Sequence, residues 1–169
     1  MKSRVTPAQT IGPFFHGLLG ATENAGGAAG PGTLALRGRV LDGAGAPVSD
    51  ALLELWQTDG REWRFARAAS DAAGEYRFAT RKLAGAPLYD GRPQAPHADL
   101  SVFARGLLHR LVTRVYFPDE AEANARDPLL ASIADPALRA RLVARADGEG
   151  ALRFDVVLQG ELETPFLDV

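Results

Sequence analysis

From Thr33 onward, short stretches of alternating apolar and polar residues are cut by turns containing Gly and Pro. A period of two puts successive side chains on opposite faces of an extended chain, which marks a strand with one face buried. Leu34, Leu36, Gly38 and Val40 alternate with Ala35, Arg37 and Arg39, and Gly43-Ala44-Gly45-Ala46-Pro47 follows as a turn. Leu52, Glu54 and Trp56 alternate with Leu53, Leu55 and Gln57, so this second strand is apolar in part on both faces. Ala73-Gly74 leads into a third, Tyr76-Arg77-Phe78. The fourth runs from Pro96 to Arg105, with Leu100, Val102 and Ala104 on one side. Leu111 to Phe117 is the fifth, and Leu152 to Leu158 the sixth. Short strands joined by such turns predict a mainly β chain, an antiparallel β-sandwich. Trp56 is expected in its core, and Trp63 as packing in a loop.

Residues 118–145 break this pattern with a run rich in Ala, Glu, Arg and Leu. Asp119 is expected to cap a short helix reaching Asn124, with Glu120 and Glu122 near its positive end. Asp127-Pro128 opens a second, because proline suits the first helical turn. Pro136 to Arg145 reads as a third, with Leu138, Leu142 and Val143 at helical spacing. Residues 1–32 read as an N-terminal arm and loop. Thr10-Ile11-Gly12-Pro13-Phe14-Phe15 is apolar, and such an arm is expected to pack on something. Residues 33–169 read as one β-sandwich domain with the helical insertion. Its C-terminal tail, carrying Phe166 and Leu167, is expected to dock on a neighbour.

Composition narrows the function. The chain holds no cysteine, which excludes thiol nucleophiles, thiolate metal sites, iron–sulfur clusters and disulfides. A net charge of -2 without a basic run argues against non-specific nucleic-acid binding. No apolar run approaches the ~20 residues of a membrane helix. No signal-peptide pattern follows Met1-Lys2-Ser3-Arg4, so a cytoplasmic location is expected.

Several runs carry a resemblance. Leu36-Arg37-Gly38-Arg39-Val40-Leu41-Asp42, Ala51-Leu52-Leu53-Glu54-Leu55-Trp56-Gln57 and Ser70-Asp71-Ala72-Ala73-Gly74-Glu75-Tyr76 share an outline with prealbumin-like sandwiches and with one enzyme family. Gln9-Thr10-Ile11-Gly12-Pro13-Phe14-Phe15, Ala95-Pro96-His97-Ala98-Asp99, Phe103-Ala104-Arg105-Gly106, Thr113-Arg114-Val115-Tyr116-Phe117-Pro118-Asp119 and Gln159 through Val169 sharpen it. Over nearly its whole length the chain resembles the intradiol ring-cleaving dioxygenases of the protocatechuate 3,4-dioxygenase kind, on the α side of that family. The resemblance implies a hetero-oligomer of αβ units cleaving protocatechuate with O2 to 3-carboxy-cis,cis-muconate. It implies ferric iron held by a partner β chain through two tyrosines and two histidines. It also implies that the α chain lines the substrate pocket, with Thr10, Gly12, Pro13 and Phe14 of the arm and with Arg105. No catalytic and no metal-binding residue is assigned to this chain.

The residues present bear on that division of labour. Two histidines at i and i+2 would share one strand face, as a shared metal requires. Here the second position is Asp99, in Pro96-His97-Ala98-Asp99. The tyrosines are Tyr76, Tyr89 and Tyr116. Tyr76 and Tyr116 fit core packing, while Tyr89 lies in a short loop. His97 reads as a hydrogen-bonded strand histidine, with Asp99 as a candidate partner. Arg114 reads as structural, and a guanidinium at Arg105 suits a substrate carboxylate. Two alternatives stay open: a self-sufficient catechol dioxygenase using His97, Asp99 and Tyr89, and a prealbumin-like binding module with no enzymatic partner.

Overall fold

A computed structural model describes Gly30 and residues 32–168. The chain forms strands β1 (Leu34–Leu41), β2 (Leu52–Thr58), β3 (Trp63–Ala69), β4 (Glu75–Thr80), β5 (His97–Phe103) and β6 (Leu111–Tyr116). Helices α1 (Ala121–Arg126), α2 (Pro128–Ser132) and α3 (Pro136–Ala140) follow, then β7 (Arg145–Ala146), β8 (Ala151–Arg153) and β9 (Val156–Val157). Two sheets face each other. One has the order β3-β2-β5-β6 and is antiparallel throughout. The other has the order β4-β1-β8-β7, with β9 also on β1, and is mixed, because β8 and β9 run parallel to β1. The sandwich expected from the alternation is present, with this parallel pairing as the departure from an all-antiparallel one.

The core lies between the sheets, where alternate residues meet. Leu36 and Val40 of β1, Leu53 and Leu55 of β2, Phe78 of β4 and Leu100 and Val102 of β5 are all buried there. Each such side chain contributes about 1.5–3 kcal/mol of burial. Gly38 faces the same core. A Cβ added to it would sit 1.8 Å from the Phe154 carbonyl oxygen, so the close approach of the two backbones requires glycine. The buried Tyr76 hydroxyl donates to that same carbonyl at 2.5 Å.

Several details differ from the sequence reading. Strand β3 was not expected, and its inward residues are the small Ala66 and Ala68. Trp56 is not in the core. It lies on the outer face of its sheet, 39 % exposed, with its ring 4.5 Å from that of its cross-strand neighbour Phe65. Trp63 begins β3 and is exposed. The expected strand from Leu152 to Leu158 breaks into β8 and β9. At the break the Asp155 side chain accepts from the Arg39 backbone N–H, taking the place of a ladder partner. Asp119 does not cap α1. Its carboxylate binds Lys82 Nζ instead, and the N-cap residue Glu120 makes no side-chain cap bond. Asp127 does cap α2, accepting from Leu129 N and Leu130 N. Helix α3 stops at Ala140, because Leu142 and Ala144 leave it to bond the backbone of Tyr116.

The C-terminal tail lies on its own chain. Leu167 N donates to Val112 O, Thr113 Oγ1 donates to Pro165 O, and Phe166 packs against the main core. Among the described residues no helix is long and apolar enough to cross a membrane.

Candidate functional site

Strand β5 carries candidate polar residues at both ends. His97 opens it, and Arg105 lies just beyond its last residue, Phe103. At about 3.3 Å per residue the two are roughly 26 Å apart, so they belong to different places on the molecule.

At the His97 end, the outward face of the β3-β2-β5-β6 sheet is covered by the helical segment. Tyr116, Leu130, Leu142 and Ala95 form a second, smaller buried cluster there. Register places His97 opposite Tyr116, and Asp99 between Trp56 and Arg114. His97 Nδ1 is 2.8 Å from the Ala95 carbonyl oxygen. A carbonyl only accepts, so Nδ1 carries the proton of the neutral ring and Nε2 keeps its lone pair. Nε2 lies 3.8 Å from Asp99 Oδ1, too far for a hydrogen bond. Burial, and then the Arg114 guanidinium, hold the imidazole below its usual pKa.

Arg114 is the centre of this site. Its Nε donates to Asp99 Oδ1 at 2.9 Å, and one Nη donates to Gln94 Oε1 at 2.6 Å. That Nη is also 3.5 Å from the Tyr116 hydroxyl. Tyr116 in turn donates to Asp127 Oδ1 at 3.0 Å. Burial raises the Tyr116 phenol well above its ordinary pKa, so it stays a donor. Asp127 is fully buried and accepts from Ala95 N as well as from the two amides of α2. One carboxylate thus caps a helix, holds the residue two before His97 and anchors the tyrosine opposite it. Gln94 and Asp127 were not singled out from sequence. The Asp127-Pro128 pair marked the start of the helix, but the bonds of Asp127 to Ala95 N and Tyr116 need a tertiary fold.

At the far end of β5, Ala104 to Leu107 forms a turn closed by Leu107 N on Ala104 O. Gly106 has φ +87°, the left-handed value required at the third position of a type II turn. Arg105 is therefore pushed to the corner, with a side chain 65 % exposed, and its Nε bonds Asp50 Oδ2 at 2.9 Å. The arm positions Thr10, Gly12, Pro13 and Phe14 lie outside the described residues.

Comparison with known proteins decides the family. The dioxygenase family model described as "Dioxygenase" matches residues 19–160. The protocatechuate 3,4-dioxygenase α chain of Pseudomonas putida is 40 % identical, covering 96 % of each chain. This chain belongs to the intradiol dioxygenase family. The β chain of protocatechuate 3,4-dioxygenase from Burkholderia cepacia is 32 % identical over 94 % of this chain and 77 % of its own length. Among solved structures, the dioxygenase domain of a dioxygenase carbohydrate-binding protein fusion from Streptomyces sp. SirexAA-E superposes with a TM-score of 0.59. It is 27 % identical and covers 92 % of this chain and 98 % of its own.

The described residues of this intradiol dioxygenase chain do not fit a ferric ion. Asp99 is engaged by the Arg114 guanidinium, whose positive charge repels a cation at that point. Tyr116 is committed to Asp127. Tyr89 is 49 % exposed in a hairpin where its backbone pairs with Arg92. With Asp99 held by Arg114, His97 and Asp99 do not form a pair of free ligands. Among the described residues no group of three or more His, Cys, Asp or Glu side chains is gathered for a metal.

Proposed function

We propose that this chain is the α subunit of a protocatechuate 3,4-dioxygenase. Paired with a β chain, it takes part in the intradiol cleavage of protocatechuate with O2 to 3-carboxy-cis,cis-muconate. Ferric iron, held by the β chain, supplies the activation of the bound catecholate toward O2. This chain's share is to shape the pocket, orient the ring and keep water out.

The observation that carries this reading is the Arg114–Asp99 ion pair. It lies on the strand face where the resemblance puts a metal-binding histidine pair, and it leaves a cation where a metal would need ligands. Near-full-length similarity to a chain named α supports it. The test is co-expression with a candidate iron-holding β chain. Iron content and oxygen uptake with protocatechuate are then measured for each chain alone and for the pair. Iron and turnover appearing only when the β chain is present, with this chain co-purifying, support the assignment. Iron and turnover in this chain alone would end it.

Thr10, Gly12, Pro13, Phe14 and Arg105 are the proposed pocket residues. A Gly-Pro pair lets backbone come close to a ligand on a fixed path, and Phe14 offers a ring face. Arg105 is presented at an exposed corner with donors to spare beyond the Asp50 bond, which suits a substrate carboxylate. In the assembled enzyme, Arg105→Ala is expected to raise KM for protocatechuate roughly tenfold or more, as losing a charge-assisted hydrogen bond implies. KM for unsubstituted catechol should be little changed. An equal effect on both would remove Arg105 from the pocket.

A further inference from the structure

The inward face of β2 reads Leu53, Leu55, Gln57, so its third core position is polar. Register sets Gln57 directly opposite Arg64 of β3. By the period of the strand, Arg64 shares the inward side of β3 with the buried Ala66 and Ala68. Thr80 ends β4 in the other sheet, and its hydroxyl donates to Gln57 Oε1 at 2.8 Å. Gln57 and Thr80 are only 3 % and 5 % exposed. Strands β3 and β4 are outer strands of different sheets, so no backbone ladder joins them. Side chains alone make the link at this end of the sandwich.

Two N–H groups of that link are unmet. Gln57 Nε2 and Arg64 Nε are buried, and neither has a hydrogen-bond partner among the described residues. The charge of Arg64 is balanced elsewhere, since one Nη pairs with Glu62. Both residues line a small cavity of about 10 Å³, together with Leu55, Ala66 and Thr80. That is close to the volume of one water-sized sphere. Buried polar groups in native proteins are almost always paired, with protein or with an ordered water.

We propose that this cavity is a binding site for one internal water molecule, which ties β2 and β3 to β4 across the gap between the sheets. The donor set decides the chemistry. Two N–H groups require an occupant that accepts. Thr80 gives its proton to Gln57, so its oxygen is left with lone pairs that only accept. An occupant that accepts twice and donates once is a water, and three bonds are the usual number for a buried one. A cation is repelled by the guanidinium. A chloride cannot donate, is larger than the space, and meets an arginine already paired with Glu62.

The test is a crystal structure of this chain assembled with its iron-holding partner, at a resolution that places water molecules. The wild type, Gln57→Leu and Thr80→Ser are compared. The wild type is expected to show one ordered water at about 2.7–3.2 Å from both Gln57 Nε2 and Arg64 Nε. Gln57→Leu keeps a similar volume without the amide, and should lose that water. Thr80→Ser keeps the hydroxyl, and should retain it. The wild-type map decides the case alone if the leucine variant does not assemble. A Gln57 amide turned round, with Oε1 accepting directly from Arg64 Nε, would overturn the proposal. So would an empty cavity, a water bonded to one donor only, or a water unmoved in Gln57→Leu. An anomalous peak at this position in crystals grown in bromide would overturn it as well.

Discussion

Replacing Asp127 tests how the His97 end of the sheet is built. Its carboxylate accepts from Ala95 N, Leu129 N, Leu130 N and the Tyr116 hydroxyl, at 2.9–3.0 Å and with no exposure to solvent. Asp127→Ala removes a helix cap, which costs about 1–2 kcal/mol. It also strands two further donors, each worth about 1–3 kcal/mol when buried and unpaired. The total is roughly 4 kcal/mol, a large part of the ~5–15 kcal/mol that holds a typical domain together. Tyr116→Phe deletes one donor and keeps the ring, so about 1 kcal/mol is expected. Asp127→Asn keeps the shape but turns an amide NH2 toward N–H groups, and should fall between the two. Urea unfolding reads this directly. With a slope of about 2 kcal/mol per molar, the alanine variant should unfold roughly 2 M earlier than the wild type. If Asp127→Ala costs no more than Tyr116→Phe, the carboxylate is not the junction described here.

Two further outcomes follow from the same geometry. Gly38→Ala drives a Cβ into the Phe154 carbonyl and crowds the Tyr76 hydroxyl, so it should destabilise by more than about 2 kcal/mol. An unfolding midpoint within error of wild type would contradict that contact. His97, facing Arg114, Asp99 and Asp127, is held below its usual pKa of 6.5 by burial and by Arg114, so the folded state binds this proton less readily than the unfolded state. Stability should therefore fall as pH drops below about 6.5 and continue to fall toward the lower, folded-state value. His97→Gln should remove that share, making stability less pH-dependent between pH ~7.5 and ~5.5, and parallel curves for the two proteins would refute the assignment.

How much of this was readable in the sequence depends on how local its cause is. Strands β1, β2, β4, β5 and β6 announce themselves, because their inward residues are large and alternate. Strand β3 hides because its inward residues are Ala66 and Ala68, which give almost no hydrophobic signal, while Phe65 and Arg67 point the other way. The break between β8 and β9 depends on Asp155 meeting Arg39, a partner more than a hundred residues earlier. The i, i+2 spacing of His97 and Asp99 was visible, and so was the absence of a second histidine. That Asp99 would be taken by Arg114 depends on the β5–β6 register, which one strand alone does not reveal. Trp56 misled for a related reason: a large aromatic signals burial by size, yet its parity with Glu54 puts it on the outer face.

The placement of β1 has a consequence for how the chain is made. It pairs on one side with β4, some forty residues on, but its other side waits for β8 and β9, more than a hundred residues away. During synthesis the first sheet therefore stands half-finished, with an open strand edge, until the ribosome has released residues 151–157. The segment that ends in Leu167 comes later still, and lies along the outer strand β6 of the opposite sheet. Strand β1 is thus completed by residues made more than a hundred positions later, so a nascent chain stalled short of that point exposes the edge most prone to wrong partners.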